Sequence, residues 1–292
     1  MEILGIVYSA GAALCFAIAP VIYNLFLKRV SPFTLNFLRI SIVCIVMSLL
    51  LLMSGGSSTF SILSYLLPLM ILIVITGTVF GDTLYLYTIK YIGPTVAQAI
   101  TSTYPLFVYL LAMIFVSERL THIQLLAVLL VVLGLIIIYS SFKNAHSQGR
   151  VRVRGLVVGV ICAFTWSLSI ALSAYVLQYM SPLQYLALRN IMGVIIISIL
   201  FSKRLVSELP ELSLWKVIVI LSGGFIELGI GIYLAAVALR IIGATINSAI
   251  TSLSPLITMA ITRSLKIEIL NVRQTLGLIL LVIGIIAIVL ST

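Results

Sequence analysis

The sequence is poor in charged residues, above all in acidic ones. Only 8% of the 292 residues are charged, seven of them are Asp or Glu, and 62% of the chain is hydrophobic. An average soluble domain carries about 25% charged residues, because its surface must face water. The composition therefore excludes a soluble globular protein and predicts a chain that folds inside a lipid bilayer.

The residues that carry most enzyme chemistry are also scarce. Asp82 is the only aspartate, and His122 and His146 are the only histidines. An intramembrane aspartyl protease needs a second aspartate, and a zinc protease needs an HExxH motif. The GxSxG motif of serine hydrolases and the P-loop of ATP-driven pumps do not occur in the sequence. We predict that the protein is not an enzyme and that it holds no metal or cofactor.

Apolar runs of about 20 residues recur along the chain, and a helix of this length crosses a hydrocarbon layer of about 30 Å. They predict ten spans, at 4–27, 34–53, 63–88, 95–116, 123–142, 155–177, 184–201, 215–238, 244–264 and 274–291. The connections are short, and the longest polar ones are 143–154 and 202–214. The apolar start is interpreted as the first span rather than as a signal peptide.

The chain contains an internal repeat at a fixed offset of 150 residues. AITSTYP at 99–105 returns as AITSLSP at 249–255, and Arg39 returns as Arg189. Other Gly, Glu, Gln and Pro positions match in the same register without a gap. Apolar similarity between membrane helices is common, but matched polar residues in one register are hard to obtain by chance.

Each copy of the repeat holds five spans, so the second copy enters the membrane from the opposite face. The sequence therefore predicts an all-α membrane protein of ten transmembrane helices built as two inverted five-helix repeats. We place the first repeat at 1–142, a basic connecting loop at 143–154 and the second repeat at 155–292. Inverted repeats recur in secondary transporters, whose binding site lies near the bilayer midplane between the halves.

The repeated phrase places a proline inside the fourth and the ninth span. Because Pro105 and Pro255 lack an N–H, the carbonyls of Thr101 and Thr251 lose their helical partners. Such breaks are tolerated at membrane depth where neighbouring helices or a watery cavity satisfy them. The alternative is a kink that serves packing alone, with Thr and Ser bonded to their own helix.

Polar side chains form stripes along the predicted spans, and a stripe that faced lipid would be costly. Asn247, Thr251 and Ser254 share one face of the ninth span. Comparable stripes occur in the fourth and sixth spans. These stripes either line a transport pathway or bond one helix to another.

Two carboxyl groups lie within predicted spans. Glu227 is near the middle of the eighth span, and Asp82 lies about a turn and a half inside the end of the third, on one face with Tyr85. An ionisable residue at such depth is a functional candidate, and the alternative is a neutral carboxyl hydrogen-bonded within the bundle. We expect Glu227→Gln to preserve folding and to abolish any pH dependence of transport. Asp82→Asn should have a weaker effect.

The polar stripes, the helix breaks and the two acids within the spans together define a predicted substrate pathway. Its residues are Asp82, Tyr85, Gln98, Thr101, Ser102, Trp166, Ser169, Glu227, Asn247, Thr251 and Ser254, with helix breaks at Pro105 and Pro255.

Two segments resemble the paired signatures of a known family. They are PFTLNFLRISIVCIVMSLLLL at 32–52 and SERLTHIQLLAVLLVVLGLIII at 117–138. Their Pro-x6-Arg opening and Glu-Arg-Leu turn are similar to those of the EamA family in the drug/metabolite transporter superfamily. The second copy keeps Pro182 and Arg189 but reads Glu-Ile-Leu at its turn, 268–270. The resemblance implies ten helices, inverted repeats and a central cavity lined by helices one, three, four, six, eight and nine. It also implies export or exchange of small organic solutes such as amino acids or other metabolites.

The net charge of +10 is spread over helix ends, so it is a topology signal rather than a nucleic-acid surface. With flanking helix ends counted, fourteen Lys and Arg follow odd-numbered spans and three lie on the other side. This bias puts the odd loops in the cytoplasm and both termini outside, whereas the resemblance implies cytosolic termini.

We therefore expect a multi-pass protein of the plasma membrane, monomeric or homodimeric, whose partners are a small-molecule substrate and the lipid bilayer but not nucleic acid. Its expected function is secondary transport by alternating access, as an exporter, with proton coupling left open. A lipid flippase or scramblase is the competing function.

Overall fold

The computed structural model describes residues 2–54, 59–107, 122–143 and 149–291, and within these ranges no residue is in a β-strand. The described helices of the first repeat are α1 (Glu2–Phe26), α2 (Pro32–Met53), α3 (Thr59–Ile73), α4 (Asp82–Ile92), α5 (Pro94–Thr101) and α6 (His122–Lys143). Those of the second repeat are α7 (Gly149–Val176), α8 (Pro182–Glu208), α9 (Leu214–Gly224), α10 (Ile232–Thr251), α11 (Ser254–Ser264) and α12 (Val272–Leu290).

Six helices of the described part are long and apolar enough to cross a membrane. They are Glu2–Phe26, Pro32–Met53, Tyr65–Ile92, Gly149–Val176, Pro182–Glu211 and Leu214–Ile242. Shorter apolar helices lie at Leu125–Ser141 and Val272–Ala287.

Local structure repeats at the 150-residue offset. α2 and α8 both begin at a Ser-Pro pair, in which Ser31 and Ser181 accept a backbone N–H of the first turn and proline occupies the first helical position. A π-helical segment joins α3 to α4 at Val74–Gly81, and another joins α9 to α10 at Phe225–Gly231. These two segments end 150 residues apart.

The contacts between the two repeats occur in pairs in which the partners are exchanged. Gly5 of the first repeat lies against Ile242 of the second, and Gly155 of the second lies against Ile92 of the first. Equivalent helices meet each other in two pairs, α2 with α8 and α6 with α12, and α5 of the fourth span packs against α11 of the ninth. This exchange of partners is what a two-fold axis in the membrane plane produces. On the described residues, which include part of every predicted span, the protein is an all-α membrane protein of ten transmembrane helices in two inverted five-helix repeats.

Several predicted boundaries were wrong. The two polar connections are shorter than expected, because α7 already begins at Gly149 and α8 continues to Glu208, with irregular backbone at Phe201. α4 ends at Gly93, whose φ is 85°, whereas α10 runs on through the matching Gly243. The helices therefore extend past their apolar runs. The Glu-Arg-Leu turn at 118–120 lies outside the described residues.

Candidate functional site

The two acids of the predicted spans sit at the two π-helical segments. Glu227 lies within Phe225–Gly231, and Asp82 is the first residue after Val74–Gly81. Short π-helical stretches are rare and are frequent at functional sites. Both carboxyls are almost fully buried, with Glu227 6% and Asp82 2% exposed.

Glu227 forms an ion pair with Arg39 of the other repeat. Nη2 of Arg39 lies 2.5 Å from Oε2 of Glu227, and the hydroxyl of Tyr23 donates to the same oxygen over 2.7 Å. The guanidinium carbon lies 4.4 Å from the centre of the Tyr23 ring, in cation–π geometry. Arg39 has no solvent-exposed surface. The pair therefore joins α2 of the first repeat to the π-helical segment of the second.

A glycine permits this contact. A Cβ at Gly224 would lie 2.6 Å from the Cα of Arg39 and 2.7 Å from its carbonyl oxygen. Only glycine allows the backbones of α2 and α9 to approach so closely. This close approach places Arg39 beside Glu227, which lies about one helical turn after Gly224.

Asp82 is held by the opposite repeat. Trp166 donates its indole N–H to Oδ1 of Asp82 over 3.0 Å, and Nη2 of Arg189 lies 3.8 Å from Oδ2. Arg189 also donates from Nε to the hydroxyl of Thr78 over 2.9 Å. Arg39 and Arg189 are repeat equivalents, so each repeat supplies one arginine to an acid of the other.

Tyr85 connects the two ion pairs to the fourth and ninth spans. Its ring centre lies 6.0 Å from the guanidinium carbon of Arg39 and 5.1 Å from the ring centre of Trp166. Its hydroxyl donates to Oε1 of Gln98 over 2.5 Å, and Nε2 of Gln98 donates to the hydroxyl of Ser254 over 3.0 Å. We call the two ion pairs, Arg39 with Glu227 and Arg189 with Asp82, the charged core. Hydrogen bonds therefore run from Tyr85, whose ring lies beside this core, through Gln98 to α11.

The charged core keeps some hydrogen-bonding capacity. Among the described residues, Nε and Nη1 of Arg39 and Oδ2 of Asp82 find no hydrogen-bond partner. Buried polar atoms are normally satisfied, so these atoms leave the core with unused hydrogen-bonding capacity. Within the same ranges, no three His, Cys, Asp or Glu side chains are grouped so that they could hold a metal ion.

For most of the other predicted pathway residues, the described hydrogen bonds go to partners outside this core. Asn247 accepts from Ser9 over 2.7 Å, and Ser169 donates to the carbonyl of Ile73 over 3.1 Å. Thr101 and Thr251 donate to carbonyls of their own helices, Ser102 is buried, and Ser254 is reached only through Gln98.

The helix breaks have the same geometry in both copies. α5 ends at Thr101 and α10 at Thr251, and in each copy two turn residues precede the next helical residue. Helix resumes before Pro105 and Pro255, which lie one residue inside it.

Sequence reasoning missed Arg39, Arg189 and Tyr23 as site residues. Counting Arg39 as a loop-end charge was wrong, because it is fully buried in an ion pair. Its position seven residues inside α2 is the signal that identifies it. Without Arg39 and Arg189 the charge count becomes thirteen (14 − 1) against two (3 − 1), so the bias that underlies the predicted orientation persists.

Comparison with known proteins also divides the chain into two repeats. The model of the EamA-like transporter family matches residues 3–140 and again 153–290, at an offset of 150 residues at both ends. A protein of Archaeoglobus fulgidus described as an uncharacterized transporter is 30% identical over 167 residues, which cover 57% of this chain and 57% of that protein. The match thus spans little more than half of the relative. A crystal structure described only as that of a protein has a TM-score of 0.67 and 17% identity, and the alignment covers 98% of this chain and 96% of the other. That likeness concerns the fold alone.

Proposed function

Because this chain belongs to the EamA-like transporter family, and is thus a multi-pass membrane transporter and not an enzyme, we propose that it moves small organic solutes across the plasma membrane by secondary transport. The solutes are amino acids or other metabolites, and the direction is export. The site is the charged core between the repeats, and the mechanism is alternating access of the two halves.

The observation that carries this proposal is the crosswise arrangement of the two ion pairs. Arg39 of the first repeat meets Glu227 of the second, and Arg189 of the second meets Asp82 of the first. A motion of one repeat against the other therefore changes both contacts. Since buried ion pairs are costly to break singly, they favour discrete arrangements of the repeats over intermediate ones.

In this arrangement Glu227 would carry the coupled proton. Protonation of Glu227 would remove the negative partner of Arg39 and leave the hydroxyl of Tyr23 bonded to a neutral carboxyl. Arg39 would then be free to meet an anionic group of the solute with its unpaired Nε and Nη1. Asp82 and Arg189 balance each other in the same core, so the exchange would leave the remaining charges paired.

A ligand-stabilisation screen tests the proposal. Purified protein is heated with amino acids, nucleosides or aromatic metabolites, and a solute that binds the folded state raises the melting temperature with concentration. We expect the shift to shrink in Gln98→Leu, which removes the link between Tyr85 and Ser254, and to persist in Ser222→Ala, which changes an exposed hydroxyl. Stabilisation by phospholipid but by none of the solutes would contradict solute transport and favour a flippase or scramblase.

A further inference from the structure

A groove opens on the surface of the protein beside a bend in α8. The backbone of Phe201 leaves helical geometry, with φ −123° and ψ 20°, so the last two turns of α8 change direction. The groove beside the bend has a volume of about 470 Å³. Its lining includes Phe37 of α2 and Ser198, Ser202, Leu205, Val206 and Leu209. Because most of these side chains are apolar, the groove suits a hydrocarbon chain.

The groove leads from the membrane interface into the hydrocarbon layer. The ring of Phe201 stacks on that of Phe33 in the first turn of α2, with 4.0 Å between ring centres. Phe37 lies about 6 Å further along the axis of α2. Trp215, near the start of α9, is 71% exposed, and exposed tryptophans are typical of the interface. The open end of the groove therefore lies at the depth of lipid headgroups.

Basic side chains stand at this open end. Lys203 and Arg204 directly follow the bend, and both are exposed. The guanidinium carbon of Arg204 lies 5.3 Å from the centre of the Phe33 ring, and its Nε lies 4.0 Å from Oε1 of Glu208. Because that ion pair is long and exposed, it holds Arg204 only weakly and leaves it available to another anion.

The turn before α2 adds positive charge to the same surface. Glu208 accepts the backbone N–H of Ser31 over 3.2 Å, which brings this turn to the end of α8. Lys28 and Arg29 of the turn are exposed. The acids of this region are Glu208 and the exposed Glu211, so with Lys203 and Arg204 four basic side chains face two acidic ones.

The equivalent position in the first repeat lacks these charges. Met53 and Ser54 stand 150 residues before Lys203 and Arg204, and both are exposed. Since the repeats are inverted, the two positions lie on opposite faces of the membrane. The basic groove therefore faces one leaflet only, on the side of the loops that follow odd-numbered spans, which we call the basic face.

We propose that this groove binds an anionic phospholipid of the phosphatidylglycerol type. The start of one acyl chain lies in the groove, and the headgroup phosphate lies against Lys203 and Arg204. A phospholipid carries an apolar chain and a phosphate at the spacing of the interface, and basic pockets at the ends of transmembrane helices suit anionic headgroups. The lipid is a bound component of the surface and not the transported solute, so the inference is independent of what the charged core carries.

Native mass spectrometry of the purified protein in detergent tests the site. The protein is titrated with phosphatidylglycerol or with phosphatidylcholine of the same acyl chains, and the bound lipids are counted at each concentration. We expect the first lipid to bind more tightly as phosphatidylglycerol. A basic side chain near an anionic lipid surface contributes roughly fivefold to binding. Lys203→Met together with Arg204→Ser, which copies the first repeat, should therefore weaken phosphatidylglycerol binding by roughly 20-fold and phosphatidylcholine binding far less.

The matched control for charge is Arg263→Ser together with Arg273→Met. It removes two exposed basic side chains from the same face but outside the groove, so it should leave the binding of the first lipid unchanged. An equal effect of the two double variants would overturn the site, because it would reduce the preference to the net charge of the basic face. Equal binding of the two lipids by the unaltered protein would overturn it as well.

A second pair of variants tests the groove. Ser202→Trp fills the groove without changing the charge and should weaken the binding of both lipids. Ser207→Trp adds the same bulk at an exposed position that does not line the groove, and it should leave both unchanged. Unaltered lipid binding in Ser202→Trp, in protein with the melting temperature of the parent, would overturn the placement of the acyl chain.

Discussion

Glu227→Gln is the substitution with the most specific energetic consequence. Glutamine keeps the size of the side chain and an oxygen for the hydroxyl of Tyr23, but it removes the charge opposite Arg39. The guanidinium is fully buried, and two of its nitrogens already lack partners among the described residues. Removing one partner of a buried ion pair typically costs about 3 to 5 kcal/mol. We expect a loss of stability in this range, whereas from sequence alone we expected the fold to be preserved.

The double variant distinguishes the ion pair from general damage to the core. Arg39→Met together with Glu227→Gln leaves no unpaired charge, and similar exchanges of buried pairs for neutral groups are often close to neutral in stability. We expect the double variant to be more stable than Glu227→Gln alone, with a coupling energy of at least about 2 kcal/mol between the two positions.

Thermal or denaturant unfolding of the four purified proteins in one detergent measures this coupling. The matched control is Arg204 and Glu208, which lie 4.0 Å apart on one helix with side chains 48% and 30% exposed. Such an exposed i,i+4 pair is worth about 0.3 to 0.5 kcal/mol. A coupling between Arg39 and Glu227 no larger than that of the control would contradict a strongly coupled buried ion pair at this position.

Three other predictions follow from the packing, the helix breaks and the charge bias. Gly224→Ala should lower the free energy of unfolding by about 1 to 3 kcal/mol, because its Cβ would meet the backbone of Arg39. Wild-type stability in an unfolding measurement would contradict the close approach of the two helices. Pro105→Ala and Pro255→Ala should each lower solute flux while folded yield stays level or rises, and unchanged flux in both would leave the breaks a packing role. Single cysteines at Ser54 and Glu211, both exposed, should label from opposite faces with Glu211 cytoplasmic, and labelling of Glu211→Cys in intact cells would reverse the orientation.

The topology could be predicted because inverted repeats leave a linear signature. Polar and glycine positions recur at one offset, and an odd number of spans per copy requires the inversion. Helix ends could not be predicted equally well. Hydropathy reports the apolar part of a helix, whereas α7 begins within the basic segment before Gly155 and α8 continues past Phe201 into polar residues.

Only part of the candidate site could be predicted from the sequence. Depth within a span identified Glu227 and Asp82, since a buried acid is costly wherever its partner lies. The partner of Glu227 could not be predicted, because Arg39 is 188 positions away in the sequence and meets Glu227 only through the close packing at Gly224. Tyr23 carried no signal either, as a tyrosine near a helix end usually marks the membrane interface.

Solute counterflow in proteoliposomes tests alternating access most directly. Vesicles are loaded with an excess of the solute found in the stabilisation screen and diluted into a trace of the labelled form. A carrier that exposes its site to one face at a time returns loaded with labelled solute, so we expect a transient accumulation of label above its equilibrium level. Monotonic equilibration without such an overshoot, or movement of labelled phospholipid in place of the solute, would contradict it.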